Sequence, residues 1–251
     1  HNGRHFAAWL VAILLSVMPL CSWAGNIRLN LKDYTVEQGL SNSHVTSIIQ
    51  DRKGFVWIGT NNGLDVFDGY RFRVFQKNPL QQNTLGSNAV TCLFEDSKEN
   101  IWVGCKNGVL SCYDTRSETF TTYMCSFPME MNKGDVSDIR EDGKGNIWIT
   151  VDRVGFVRLD SQTGKMMRYR TNESTTNSLS HNALTGLEYD RKGNLLLTTW
   201  GGGLNVFDPR TNNYQHLMTQ CDDNSTGRCS HLMKIFNDSK GQHWVASTHA
   251  G

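Results

Sequence analysis

A ten-residue phrase that returns five times leaves this chain little choice of fold. Asp51-Arg-Lys-Gly-Phe-Val-Trp-Ile-Gly-Thr60 aligns with the segments that begin at Asp96, Asp142, Asp190 and Asp238. The leading aspartates stand 45, 46, 48 and 48 residues apart. A fixed period of this length marks stacked supersecondary units, so the repeat has to be settled before any single element is read.

Each copy carries the same four apolar runs. The first, such as Val45-Thr-Ser-Ile-Ile49 or Val90-Thr-Cys-Leu-Phe94, precedes the aspartate and reads as strand a. Asp-x-Lys-Gly is turn chemistry, its glycine free to take positive φ. Strand b follows with Trp57, Trp102, Trp148 and Trp244, replaced by Leu196 in the fourth copy. A short Gly-bearing loop leads to strand c, which ends at Asp68, Asp114, Asp160 and Asp208. Strand d is Phe72-Arg-Val-Phe75 and its counterparts at 120–123, 166–169 and 214–217. Four short strands per period predict an all-β fold, a β-propeller of four-stranded blades. The blades are expected near 45–75, 90–123, 136–169, 184–217 and 231–251, about five repeats of an incomplete ring.

In a blade running a to d from the channel outward, the a–b and c–d turns share one face, and the b–c loops and d–a connections share the other. The d–a connections, such as 76–88 and 170–182, are long and unlike one another, which places binding on their face. The alternating segment Ile27–Tyr34 sits where a strand d belongs and is expected to close the ring by completing a last blade outside this sequence. A bulky residue at one place on every strand b is expected to fill the contact between blades, so Trp57, Trp102, Trp148, Leu196 and Trp244 are assigned to the blade core.

Residues 4–24 have the three zones of a secretory signal: Arg4 and His5, an apolar run from Phe6 to Leu20, and Ser22-Trp23-Ala24 at cleavage spacing. Cleavage is expected after Ala24, leaving 25–251 as the partial propeller; an uncleaved anchor is the competing reading. Leu20 stands where a lipidated Cys21 would need a small neighbour. His1 in place of Met, and a last repeat cut short at Gly251, read as a piece of a longer protein. The 25 Lys and Arg against 24 Asp and Glu form no like-charge block, which argues against a nucleic-acid partner. A secreted chain makes cysteine pairing relevant. Cys221 and Cys229, in one d–a loop, are a candidate disulfide; Cys105 and Cys112 either pair across a hairpin or serve as small buried apolar residues.

From Gln38 through Leu64, and again from Leu85 to Asp114, the sequence resembles the two-component-regulator propeller repeats. The shared motif is Asp-x-x-Gly-x-Ile-Trp-Ile-Gly-Thr followed by Asn-Gly-Leu. Thr150, Thr198 and Leu196 depart from it in the third and fourth copies. The resemblance implies a seven-bladed ring in the full protein and the periplasmic sensor region of a Bacteroidetes hybrid two-component system. It further implies attachment to the inner membrane through a missing C-terminal part, a histidine kinase in the parent chain, homodimerisation, and an oligosaccharide ligand controlling glycan-utilisation genes. This region itself is then no enzyme.

The residues agree in what they lack: there is no Gly-x-x-x-x-Gly-Lys-Ser/Thr, Gly-x-Ser-x-Gly or His-Glu-x-x-His. No cofactor or metal is expected; Asp222-Asp-Asn224 supplies too few oxygens for Ca²⁺, and His243 with His249 is the one metal-spaced pair. Ligand contact is assigned to b–c loop residues that leave the repeat pattern, Trp200, Asp152 and Arg153, since an exposed indole stacks on a sugar ring while Asp and Arg bond its hydroxyls. The competing reading makes Trp200 the displaced core Trp of its blade. A secreted propeller enzyme (polysaccharide lyase or hydrolase) and a protein-binding scaffold are the alternative functions.

Overall fold

The computed structural model describes residues 31–126, 133–217 and 231–248. Tyr34–Gly251 forms one compact unit and His1–Asp33 another, of which only 31–33 are described. The signal segment, Cys221, Cys229, Asp222–Asn224 and His249 therefore lie outside the described residues.

Four blades are complete. Blade 1 holds β1 (Val45–Gln50), β2 (Val56–Thr60), β3 (Gly63–Phe67) and β4 (Phe72–Phe75). Blade 2 holds β5 (Val90–Glu95), β6 (Ile101–Cys105), β7 (Val109–Asp114) and β8 (Thr119–Met124). Blade 3 holds β9 (Val136–Glu141), β10 (Asn146–Val151), β11 (Gly155–Asp160) and β12 (Met166–Tyr169). Blade 4 holds β13 (Leu184–Tyr189), β14 (Leu195–Thr199), β15 (Leu204–Asp208) and β16 (Asn213–Leu217). Blade 5 contributes its two inner strands, β17 (Leu232–Asn237) and β18 (His243–Ser247). Every sheet is an antiparallel meander in chain order, as expected from the apolar runs. Strand a of each blade packs against strand a of the next, so these strands form the inner rim. Of the segment read as a ring-closing strand, residues 31–34 form no strand and 27–30 lie outside the described residues.

The core lies between blades. Trp57 packs with Leu93, Ile101 and Tyr113 of blade 2; Trp102 with Ile139, Ile147 and Leu159 of blade 3; Trp148 with Leu187 and Phe207 of blade 4. All three indoles are buried, as is Leu196. Trp244 departs from its core assignment: it is 61% exposed, in a sheet that has only β17 and β18 among the described residues.

The repeated aspartate does more than turn the chain. In blade 2, Asp96 Oδ1 accepts the amides of Lys98 and Asn100, each at 2.9 Å, and Oδ2 accepts the Trp102 indole N–H at 2.8 Å. The same indole bond joins Trp57 to Asp51 (2.8 Å), Trp148 to Asp142 (3.1 Å) and Trp244 to Asp238 (3.1 Å). One carboxylate thus closes the a–b turn and aims the core Trp of the next strand, satisfying its indole N–H. In blade 4, where Leu196 has no side-chain N–H, Asp190 Oδ2 keeps only the Asn194 side chain at 2.8 Å.

Adjacent blades are also joined by a hydroxyl at the second residue of strand a, where the register shifts by a bulge. Thr46 Oγ1 donates to Val90 O (3.0 Å), Thr91 Oγ1 to Val136 O (2.6 Å), Ser137 Oγ to Leu184 O (2.9 Å) and Thr185 Oγ1 to Leu232 O (2.6 Å). Cys92, Cys105, Cys112 and Cys125 are free thiols, so Cys105 and Cys112 take the apolar role rather than pairing.

Candidate functional site

The b–c loops and d–a connections lie at the same ends of the blades, and the d–a connections are tied down by a buried polar residue on strand c. Asp65 accepts the Ser41 amide (3.1 Å) and hydroxyl (2.6 Å). Ser111 Oγ accepts the Gly86 amide (3.0 Å), and Asn205 exchanges two bonds with Ser180, at 2.9 and 2.8 Å. Burial pushes the Asp65 carboxyl up, against the lowering effect of the Ser41 hydroxyl and amide. The signal for these anchors is in the sequence, as Leu40-Ser41 and Leu179-Ser180 recur at one place in the repeat while the strand-c residues they meet, Asp65 and Asn205, are polar.

On this face a cleft of about 390 Å³ spans blades 3, 4 and 5, with Asp152, Arg153, Trp200 and Met233 in its wall. The three residues singled out from two separate b–c loops therefore line one cavity. Its floor includes Ser137 and Thr185, whose hydroxyls are engaged between blades.

Trp200 is 43% exposed, unlike the buried Trp57, Trp102 and Trp148. Its backbone N–H donates to Ala183 O at 2.8 Å, and it forms an isolated bridge with His231, ahead of blade 5. The two side-chain rings lie 4.8 Å apart, inclined at 43°. One edge of the indole is thus fixed while much of it remains open to solvent.

Asp152 and Arg153 form the tip of the β10–β11 turn. Arg153 has φ +60°, the left-handed position that Asn107 (φ +59°) fills in blade 2. Glu99 (φ +67°) and Glu118 (φ +54°) take the same region in other turns of the chain. Arg153 Nε pairs with Asp152 Oδ2 at 3.3 Å. Burial pushes the Asp152 carboxyl up, and the Arg153 charge partly offsets that. The turn is buttressed by the Asp152 amide donating to Asp135 O at 2.9 Å and by Gly134, where a Cβ would stand 2.0 Å from Asp152 O. The cleft offers an aromatic surface, a cation and a carboxylate at one place, a set suited to holding a polyhydroxylated ligand.

Four-stranded antiparallel meanders packed face to face around a common inner rim make this chain a β-propeller. Residues 39–62 and 84–107 match the family model described as two component regulator propeller, and the chain carries repeats of that family. A 67-residue stretch is 40% identical to Histidine kinase P4 of Formosa agariphila, covering 27% of this chain and 5% of that protein. The extracellular domain of a hybrid two component system of B. thetaiotaomicron superimposes with a TM-score of 0.71 at 24% identity, over 86% of this chain and 29% of that one. Virginiamycin B lyase from Staphylococcus aureus shares the fold more distantly, with a TM-score of 0.63 at 16% identity over 81% of this chain and 63% of the lyase. The chain spans only a small part of the kinase and under a third of the extracellular domain.

Proposed function

We propose that this chain is part of the extracytoplasmic, ligand-sensing propeller of a hybrid two-component receptor, and that it contributes to binding an oligosaccharide. The observation that carries this reading is the meeting of Trp200, Asp152 and Arg153 in one cleft on the loop-rich face of a propeller with regulator repeats. The likeness to extracellular domains of hybrid two component systems supports the location and the class of parent protein. In that reading the remaining blades, a membrane helix and a homodimeric histidine kinase complete the receptor, and the ligand switches on glycan-utilisation genes.

The test is calorimetric titration of the whole receptor ectodomain with a panel of neutral and acidic oligosaccharides, for the parent and for Trp200→Ala. The reading expects at least one oligosaccharide to bind, with an affinity weakened about tenfold or more by Trp200→Ala, the loss of one stacked aromatic contact. It is overturned if no oligosaccharide binds, or if Trp200→Ala binds as the parent does. The fold likeness to the lyase favours a second reading, a propeller lyase; release of unsaturated product from a polysaccharide would establish it in place of the sensor.

A further inference from the structure

A second cleft stands on the opposite face, between blades 3 and 4. On that face successive blades are stitched by the last residue of strand a. Glu95 Oε1 accepts the Arg52 amide of blade 1 at 3.2 Å. Glu141 accepts the Ser97 amide (2.6 Å) and hydroxyl (2.7 Å) of blade 2. In blade 4 the corresponding residue is Tyr189, which has no carboxylate to offer. The amide of Gly143, counterpart of Arg52 and Ser97, consequently makes no hydrogen bond among the described residues.

The gap is a cleft of about 540 Å³ lined by Gly143, Lys144, Arg158, Tyr189 and Lys192. Lys144, Arg158 and Lys192 have no ion-pair partner among the described residues, and Arg158 lies over the Trp148 ring at 6.0 Å. The two carboxylates beside them are occupied. Glu141 faces blade 2, and Asp142 accepts the Lys144 and Asn146 amides, the Asn146 side chain and the Trp148 indole. The Tyr189 hydroxyl is buried with no hydrogen-bond partner among the described residues. The equivalent cleft between blades 1 and 2 differs: Lys53, Arg71 and Arg73 pair with Glu99, Asp68 and Glu118 at 3.0, 3.5 and 2.9 Å.

We infer that the blade 3–blade 4 cleft is a binding site for a carboxylate-bearing small molecule, whose carboxylate takes the place that Glu95 and Glu141 fill at the neighbouring joints. Gly143 N–H donates to one carboxylate oxygen, as Ser97 N–H donates to Glu141, and Lys144, Lys192 and Arg158 supply the compensating charge. Charge-assisted bonds in a partly enclosed cleft give such a group its affinity. The site is independent of the cleft at Trp200 and of the sensor reading.

D-glucuronate and D-glucose, alike except for the carboxylate, are the probes, titrated calorimetrically into the full chain at low ionic strength. Glucuronate is expected to saturate and glucose not to bind. Lys192→Gln is expected to weaken glucuronate about tenfold, the loss of one charge-assisted bond. Tyr189→Glu, which supplies the carboxylate internally, is expected to abolish binding with the strand signature of the circular dichroism spectrum retained. Should that variant fail to fold, the double variant Lys144→Gln/Lys192→Gln decides by the same titration. The inference fails if glucuronate does not bind, if glucose binds equally well, or if the charge variants bind as the parent does. It fails too if Trp200→Ala removes glucuronate binding, since the anion is then held in the other cleft.

Discussion

Asp138 of blade 3 reaches past blade 4 to Lys234 of blade 5, with Oδ2 and Nζ 2.7 Å apart. The same carboxylate pairs with Arg140 at 2.7 Å and accepts the Leu187 amide at 3.2 Å, so one buried charge ties three consecutive blades at the inner rim. Arg140 in turn meets Glu188 at 3.3 Å. Removing a buried carboxylate that leaves cations behind costs about 3 kcal/mol or more. Asp138→Ala is therefore expected to lower unfolding free energy by about that amount, while Lys234→Ala, whose side chain is 48% exposed, costs under about 1 kcal/mol. Urea denaturation of the two variants separates them.

The turn aspartate and its indole give a second contrast. Asp96→Ala strips four hydrogen bonds from a buried carboxylate, two of them from backbone amides. A loss of about 2–4 kcal/mol is expected. Trp102→Phe keeps most of the packing and loses only the indole bond, so about 1–2 kcal/mol is expected. Equal losses in denaturant midpoint would show that the bond is incidental to packing.

Asp65 makes stability depend on pH in an unusual direction. Its folded carboxyl is raised above the ordinary value, chiefly by burial, with Ser41 opposing. The ionised form is therefore disfavoured by folding, and stability falls as pH rises from about 4 through the folded pKa. Blade 4 places Asn205 in the same anchoring role, with its amide bonded to Ser180. Asp65→Asn should remove this slope and leave the chain at least as stable at pH 7. A variant that unfolds more readily than the parent at neutral pH would sink the idea.

Burial pushes the thiols of Cys92, Cys105, Cys112 and Cys125 up to about 12. At neutral pH their thiolate fraction lies roughly a thousandfold below that of an ordinary thiol. Alkylation followed by peptide mass spectrometry should find these four unmodified in the native chain and fully modified in urea. Rapid native labelling of any of them would contradict the packing described for its strand.

Gly134 and Gly54 both have positive φ, at +57° and +91°, but their surroundings differ. A Cβ on Gly54 meets nothing within 4 Å, whereas one on Gly134 collides with Asp152 O. Gly54→Ala is expected to cost about 1 kcal/mol from backbone strain alone. Gly134→Ala should cost more and displace the Asp152–Arg153 turn, weakening any ligand held in the cleft beside Trp200. Thermal melts and ligand titration of the two variants test this.

The strands were legible because their apolar runs and turn glycines recur at a fixed period; β4, for instance, is the predicted Phe72–Phe75. The face carrying the b–c loops could be named from strand order, and so could Trp200, Asp152 and Arg153 as departures from the pattern. Their meeting in one cavity could not be read, because it depends on how blades 3, 4 and 5 are rotated about the rim. The links between blades escaped for a related reason. Thr46, Thr91, Ser137 and Thr185 recur as a hydroxyl at one place in the repeat, but each bonds a carbonyl 44 to 47 residues away, so the sequence shows the residue and not its partner. The sequence shows the aspartate as a turn residue and the tryptophan as a bulky strand residue, yet their mutual bond is visible only in the fold.

The carboxylate stitch also sets a grammar for how such a chain can grow by duplication. A copy of blade 2 inserted between blades 1 and 2 would offer its Glu95 to Arg52 and its Ser97 amide to the original Glu95, so both junctions would be matched. The same copy placed after blade 3 would answer Gly143 but leave its own amide facing Tyr189. Repeats in this protein are interchangeable in outline but not in order, because the match is a property of the junction between two blades rather than of either blade alone.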